Sequence, residues 1–143
     1  MRARVSSLES SIQINYLLIL FSSSILLLSA PQGMAAVMDS LKPGAIAGDV
    51  HAAWQRVLDR YGLEKPSRIG YSIGVGYAPD WGERTLSFRP REATPVPDNA
   101  VVHVILGMWM DDWGMELSET IHVRGDGCER MCDFPQHVHV VET

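Results

Sequence analysis

Four glycines between residues 68 and 83 constrain this chain more than any other feature of its sequence. The stretch reads RIGYSIGVGYAPDWGE, where the glycines separate large side chains such as Tyr71 and Trp81, and Glu83 closes it. Glycine at this spacing disfavours a continuous helix and suits backbone that bends or lies close to another group. We therefore predict a kinked strand and a loop that lines a cavity, with a plain turn around the core as the alternative.

Helical and strand-like patterns lie on either side of this stretch. Helices are predicted at 35–41 and 49–61, and the second shows apolar residues at helical spacing. Strands are predicted at 85–88, 100–108, 115–118 and 120–124, and then, after a glycine turn at 125–127, through Met131 and over 137–141. Helices followed by an antiparallel meander predict an α+β fold, and 143 residues suit one domain. His51 lies beside the apolar stripe of the second helix, which predicts a surface or boundary residue.

The amino-terminal segment differs in character from the rest. Residues 10–38 contain no charged side chain, and residues 12–30 are long enough to cross a bilayer, with Arg2 and Arg4 as a positive flank. Residues 31–36 could also form the cleavage region of a signal peptide. A third reading is that the segment is not native to the domain. We therefore divide the chain into an apolar segment, 1–33, and a domain, 34–143.

Charge and cysteine content exclude several classes of function. The net charge is −5 with no basic cluster, which makes nucleic acid an unlikely partner. Cys128 and Cys132 do not form a disulfide framework, and we expect reduced thiols. Together with His137 and His139 they suggest zinc, but histidines two apart depart from the usual spacing of structural sites. Alternation in an edge hairpin is the preferred account.

Acids and tryptophans are concentrated in two segments. The acids are Asp80, Glu83, Asp111, Asp112, Glu116 and Glu119, and they lie near Trp81, Trp109 or Trp113. Aromatic faces attract cations, and carboxylates pair with amidinium or ammonium groups. This inventory predicts a pocket for a small cationic or zwitterionic ligand. The alternative is that about half of the acids only solvate turns.

Three motifs carry a resemblance to a known family. Residues 70–74, Gly-Tyr-Ser-Ile-Gly, fall where metallopeptidases carry Gly-His-Gly-Ile-Gly, and residues 101–107 fall on a strand that ends Glu-Pro-Gly. Residues 114–120 fall on Gly-Val-Arg-Ile-Glu-Asp-Thr. From about Met34 onward the chain resembles the carboxy-terminal half of the pita-bread domain of creatinase and the Xaa-Pro and methionine aminopeptidases. The resemblance implies helices packed on a curved antiparallel sheet.

The departures from this family bear on the chemistry. Its peptidases hold two metals with two Asp, one His and two Glu, and the His and Glu positions here are Tyr71, Ile105 and Ser118. Isoleucine has no donor atom, and neutral Tyr and Ser are poor ligands for hard divalent cations. The two Asp ligands would lie upstream of this sequence. We therefore expect no catalytic metal and no other cofactor.

Within the family the chain looks most similar to the ectoine hydrolases, through residues 70–74, 77–83 and 107–111. That resemblance implies opening of the cyclic amidine of ectoine, a zwitterion, without metal. The expected substrate-binding residues are Tyr71, Trp81, Glu83, Trp109 and Glu119. Glu119 is the acid that we expect to contact a cationic group, although strand alternation requires a bulge or a loop start for Ser118 and Glu119 both to reach the site. The catalytic residues would lie mainly upstream.

Two other functions stay open at this point. One is a degenerate metallopeptidase relative, and the other is a noncatalytic binding module tethered to a membrane through residues 12–30. The resemblance further implies a cytoplasmic protein, with membrane anchoring as the alternative, and it allows a family-like homodimer. We expect this chain to be a fragment that is inactive alone.

Overall fold

The computed structural model describes residues 29–76, 82–111 and 114–136. Two helices, α1 (residues 29–40) and α2 (Ala47–Asp59), precede all of the strands. The strands are β1 (Gly70–Ile73), β2 (Gly82–Ser87), β3 (Val101–Ile105), β4 (Met108–Trp109), β5 (Gly114–Met115), β6 (Ser118–Arg124) and β7 (Gly127–Arg130). Five of them form one antiparallel sheet in the order β2-β1-β3-β6-β7, and β4 pairs with β5. The predicted α+β fold is therefore confirmed.

Helix α2 follows directly from its sequence pattern. Val50, Trp54, Val57 and Leu58 recur every three or four residues, and all four are buried. Asp49 places an acid in the first turn, where it interacts favourably with the helix dipole. Just beyond the helix, Gly62 adopts a φ of +66°, which glycine tolerates without strain.

Helix α1 begins earlier than the sequence pattern predicts. Residues 29–40 are helical, and the side chains of Ala30, Met34 and Val37 are buried in the same core as Trp54. Position 34, the predicted domain boundary, therefore lies inside a helix that packs against the core. The boundary itself stays a prediction.

Most of the predicted bilayer-spanning segment, residues 12–28, lies outside the described residues. Within the described ranges, no helix is both long enough and apolar enough to cross a membrane.

The sheet has two different faces because side chains alternate along each strand. On one face Val102, Val104, Ile121 and Val123 are fully buried and belong to one hydrophobic cluster with the residues of α1 and α2. We call this the helix-facing side. The residues between them lie on the opposite side, which we call the open face: Tyr71, Ile73, Val101, His103, Ile105, Ser118, Thr120 and His122. All are half-buried except Ser118, which is exposed.

Strand ends differ from the sequence-based prediction in several places, and the strand predicted at 85–88 begins earlier, at Gly82. The strand predicted at 100–108 stops at Ile105, and β4 begins at Met108. The segment predicted as one strand at 115–118 is divided between β5 and β6, and β7 ends at Arg130 before Met131. The strand predicted at 137–141 lies outside the described residues.

Candidate functional site on the open face of the sheet

The open face gathers the three positions that the resemblance assigns to metal ligands. Tyr71 of β1 is opposite His103 of β3, and Ile105, two residues further along β3, is opposite Ser118 of β6. Paired residues of antiparallel strands project to the same side, so Tyr71, Ile105 and Ser118 share one face. The structure thus brings these three positions together on one face, and their membership of one functional site stays a prediction.

The side chains at these positions do not fit a divalent metal. A tyrosine, an isoleucine and a serine supply no carboxylate and no imidazole, which are the groups that such ions prefer. Within residues 29–76, 82–111 and 114–136, no three side chains of His, Cys, Asp or Glu come together as a metal site requires.

His103 is the residue of this face that the sequence analysis missed. Its imidazole lies next to the Tyr71 ring, with ring centroids 5.9 Å apart and planes inclined by 58°. Its Nδ1 lies 3.3 Å from the hydroxyl oxygen of Thr120 across the strand pair. The alternation Val-His-Val within β3 is the signal that could have identified it, since His103 is the polar residue between two buried valines.

A positive charge borders the same face. The Arg68 guanidinium lies over the Tyr71 ring, 4.8 Å from its centroid. This cation–π contact holds the guanidinium beside the open face, where it can pair with a carboxylate.

Trp109 is the last residue of β4, where it is paired with Gly114 of β5, and it is 64% exposed. A Cβ atom added at Gly107 would come within 2.9 Å of the Trp109 ring, and one at Gly114 within 3.1 Å. The Trp109 ring therefore covers Gly107, just before the hairpin, and Gly114 within it. Its predicted role in binding substrate stays a prediction.

Glu119 lies on the other side of the sheet from Tyr71. β6 pairs continuously with β3 from Ser118 to His122, so the bulge that would bring both Ser118 and Glu119 to the open face is not present. The Glu119 side chain is 7% exposed, and its Oε1 accepts hydrogen bonds from Arg130 Nη1 at 3.1 Å and Gln136 Nε2 at 2.6 Å.

Two further predicted binding residues cannot be placed. Trp81 lies outside the described residues, and for Glu83 the description covers only the backbone, which belongs to β2. Of the five predicted binding residues, the structure thus places Tyr71 on the open face, Trp109 on the hairpin and Glu119 on the helix-facing side.

Cys128 has a structural environment. It lies in β7, and its thiol donates to the Met38 carbonyl oxygen at 3.4 Å. Burial, assisted by the negative charge of Asp39, raises the pKa of this thiol and so disfavours the thiolate that a metal would need. Cys132 is exposed and free, whereas His137 and His139 lie outside the described residues.

The prediction that His51 is a surface or boundary residue is wrong. It is 4% exposed, because the segment after α2 folds over it. Its Nε2 donates to the carbonyl oxygens of Lys65 and Ser67 at 3.0 and 3.2 Å, which fixes this segment against the helix. Burial is the main cause that lowers the pKa of His51.

His51 also borders an open cavity of about 570 Å³, formed by α2, residues 62–66 and residues 90–91. Gln55, another lining residue, donates to Leu63 O and accepts from Lys65 N, while Lys65 Nζ donates to Gly107 O. The polar side chains of this cavity therefore act mainly in holding the 62–67 segment. None of its lining residues belongs to the open face.

Comparisons with known proteins show the family and the fold of this chain. Residues 30–125 match metallopeptidase family M24. The ectoine hydrolase of Halomonas elongata is 38% identical over 110 residues, which are 76% of this chain and 28% of that protein. An uncharacterized hydrolase/peptidase of Sinorhizobium fredii is 37% identical over 110 residues, 76% of this chain and 27% of that protein. The chain thus spans little more than a quarter of the length of these relatives.

Among solved structures, the X-Pro aminopeptidase of Thermotoga maritima superposes with a TM-score of 0.73 at 18% identity, covering 84% of this chain and 34% of the enzyme. At 18% sequence identity, this superposition shows that the two proteins share a fold.

Proposed function

The chain belongs to metallopeptidase family M24, and from that premise we propose that it forms part of a metal-independent hydrolase that opens the C–N bond of a cyclic amidine such as ectoine. One observation carries this proposal. The three positions of this chain that resemble metal-ligand positions lie together on one face, and they hold Tyr71, Ile105 and Ser118. A peptidase mechanism that needs two bound metals loses these three donors at once.

The similarity to an ectoine hydrolase supports the choice of substrate. Its 38% identity contrasts with 18% to the X-Pro aminopeptidase of similar fold. Because the chain spans 28% of the ectoine hydrolase, the activity and substrate of the whole relative are part of the proposal.

The open face suits one end of a zwitterion. The Arg68 guanidinium beside Tyr71 can pair with the substrate carboxylate, and the two rings of Tyr71 and His103 provide flat surfaces for a planar amidine. Glu119, the acid that the sequence analysis expected to contact a cationic group, faces the opposite side and is already paired with Arg130. The group that balances the amidinium charge is therefore not one of the open-face residues named above.

Isothermal titration calorimetry of ectoine into the purified 143-residue chain tests the proposal. We expect saturable binding that is unchanged by a chelator, and metal analysis showing well under one tightly bound divalent ion per chain. A matched pair of variants is Arg68→Gln, which removes the charge over Tyr71, and Arg60→Gln, which removes an exposed charge at the end of α2. The first should weaken ectoine binding and the second should not.

Other outcomes would favour the alternatives. About two tightly bound divalent ions per chain, with metal-dependent cleavage of an Xaa-Pro dipeptide, would indicate a metallopeptidase. Failure to bind either ectoine or the dipeptide would contradict the proposal and leave a binding module for a different ligand.

A further inference from the structure

We propose that His103 is the catalytic base of this site, which accepts a proton from the water that attacks the amidine carbon. The inference rests on the proposed function and adds a residue and a chemical role to it. Three observations carry it: the position of His103 on the sheet, the partner of its Nδ1 and the freedom of its Nε2.

His103 occupies the middle of the open face. β3 is the central strand of the five-stranded sheet, and His103 has Tyr71 on one side and Thr120 on the other. It lies on the same strand and face as Ile105, two residues away. An imidazole at this place therefore lies beside Tyr71 and Ile105, on the face to which the proposed function assigns the substrate.

The partner of Nδ1 is compatible with the tautomer that a base requires, because the Thr120 hydroxyl oxygen can accept from Nδ1–H. When Nδ1–H donates to the Thr120 hydroxyl oxygen, 3.3 Å away, the proton is held on Nδ1 and Nε2 keeps its lone pair. The Thr120 hydroxyl and the Tyr71 ring also fix the plane of the imidazole. In the Nδ1–H tautomer that we propose, His103 can accept a proton at Nε2 while both contacts are kept.

The other described histidines are engaged at Nε2. His122 on the same face places Nε2 at 2.8 Å from Asn99 Oδ1, and its Nδ1 lies 3.4 Å from Glu129. His51 uses Nε2 to donate to two carbonyl oxygens within the fold. Within the described part of the chain, His103 alone has an Nε2 without a protein partner.

The charged and titratable groups around His103 are few. From β1 it meets the Tyr71 phenol with the Arg68 guanidinium behind it, and from β6 the neighbouring imidazole is His122. Glu119, beside Thr120 in sequence, projects to the helix-facing side and does not reach the imidazole.

His103 Nε2 takes one proton from water while the water oxygen forms a bond to the amidine carbon. The resulting imidazolium returns that proton to one ring nitrogen, and the bond from carbon to this nitrogen breaks. The hydroxyl proton leaves as the amide carbonyl forms and converts the released amine into an ammonium group. Amidinium and water thus give one amide and one ammonium, with no oxidant, reductant or further reactant.

Nitrogen-15 NMR of the imidazoles in the full 143-residue chain tests the inference, with ectoine as the probe. We expect His103 to be in the Nδ1–H tautomer, and its Nε2 resonance to move on ectoine addition with the affinity found by calorimetry. Thr120→Val, which removes the hydroxyl and keeps the shape, should convert His103 into a mixture of tautomers. The His51 resonances serve as the internal control, because His51 is bonded to the 65–67 segment away from the open face, and they should not follow the ectoine titration.

Chemical modification provides an independent readout. Diethyl pyrocarbonate acylates unprotonated imidazole nitrogens that solvent can reach, and peptide mass spectrometry locates the product. We expect His103 to react and ectoine to slow this reaction at least tenfold, whereas His51 should be unreactive with or without ectoine.

The outcomes separate the two proposals. Ectoine binding with unmoved His103 resonances and no protection of His103 would overturn the assignment of the base and leave the proposed function standing. An Nε2–H tautomer in the ectoine complex would also overturn it. Absence of ectoine binding would overturn the proposed function and this assignment with it.

Discussion

The Glu119 carboxylate lies 3.1 Å from the Arg130 guanidinium, on the side of the sheet that packs against the helices. Gln136 donates to the same carboxylate oxygen at 2.6 Å. Glu119 therefore ties both β7 and the segment that follows it to β6. A carboxylate that is 7% exposed and held by two donors of its own chain contributes first to stability.

Glu119→Gln should accordingly destabilise the fold. The amide removes the charge opposite Arg130, and we expect the free energy of unfolding to fall by about 1–3 kcal/mol. Urea denaturation followed by tryptophan fluorescence measures this change. The matched control is Glu129→Gln, which removes the exposed pair with Arg124 and should cost less than about 1 kcal/mol.

A different result would restore the role predicted from the sequence. Unchanged stability of Glu119→Gln, with ectoine binding weakened by roughly 1.5–3 kcal/mol, would show that the carboxylate binds substrate.

The comparison of Glu119 with Tyr71 shows what the sequence can predict about the site. Strand alternation correctly separates Ser118 from Glu119, and the motifs correctly place Tyr71, Ile105 and Ser118 together. The family match and the superposition confirm the resemblance to the pita-bread family. The sequence could show it because the family's motifs combine local glycine spacing with period-two strands. Alternation does not tell which face is covered, because that depends on the helices and on Arg130 of β7.

His51 and α1 illustrate the same limit. His51 is polar and lies beside the apolar stripe, but residues 65–67 cover it and supply its acceptors. The beginning of α1 falls within the apolar segment, 1–33, which the sequence analysis separated from the domain because it is apolar and uncharged from residue 10 onward. In the structure, small residues there permit close packing against Trp54.

Gly33→Ala tests this packing. A Cβ at Gly33 would lie 2.1 Å from two ring atoms of Trp54 and 3.2 Å from a methyl group of Leu106. Alanine favours a helix over glycine, but the clash should outweigh that gain and lower the free energy of unfolding by about 1–3 kcal/mol. Thermal and urea denaturation measure the difference.

Gly127→Ala is the control for that substitution, since no atom lies within 4 Å of the added Cβ. Its stability should stay within about 0.5 kcal/mol of the wild type. A stable Gly33→Ala protein would mean that residues around 33 do not pack on the core and would support a domain boundary at 34.

The buried His51 predicts a loss of stability in acid. Burial lowers its pKa in the folded state below the ordinary 6.5, so between these two pKa values the unfolded chain binds more protons than the folded one. The free energy of unfolding should therefore fall as the pH drops through 6.5, by less than about 1.4 kcal/mol per pH unit for one proton. Below the folded-state pKa this contribution becomes constant.

Urea denaturation between pH 8 and pH 5 measures the dependence, with pH values spaced by about half a unit. His51→Gln keeps a donor for the Lys65 and Ser67 carbonyls but cannot be protonated, so its curve should be flatter. His122→Gln leaves His51 intact and should retain the slope. Parallel curves for the wild type and His51→Gln would show that His51 does not control acid stability.

The open face predicts self-association of this chain. Tyr71, Ile73, Val101 and Ile105 are half-buried there, and none of them belongs to the cluster that α1 and α2 cover. Apolar surface of this kind, next to the edge strands β2 and β7, favours pairing with another sheet. We expect light scattering during size-exclusion chromatography to show a mass that rises with protein concentration.

Ile105→Thr should reduce this association, whereas Val75→Thr, which alters an almost fully exposed residue after β1, should leave it unchanged. A monomer at all concentrations, with one cooperative thermal transition, would mean that the open face stays exposed to solvent without driving association.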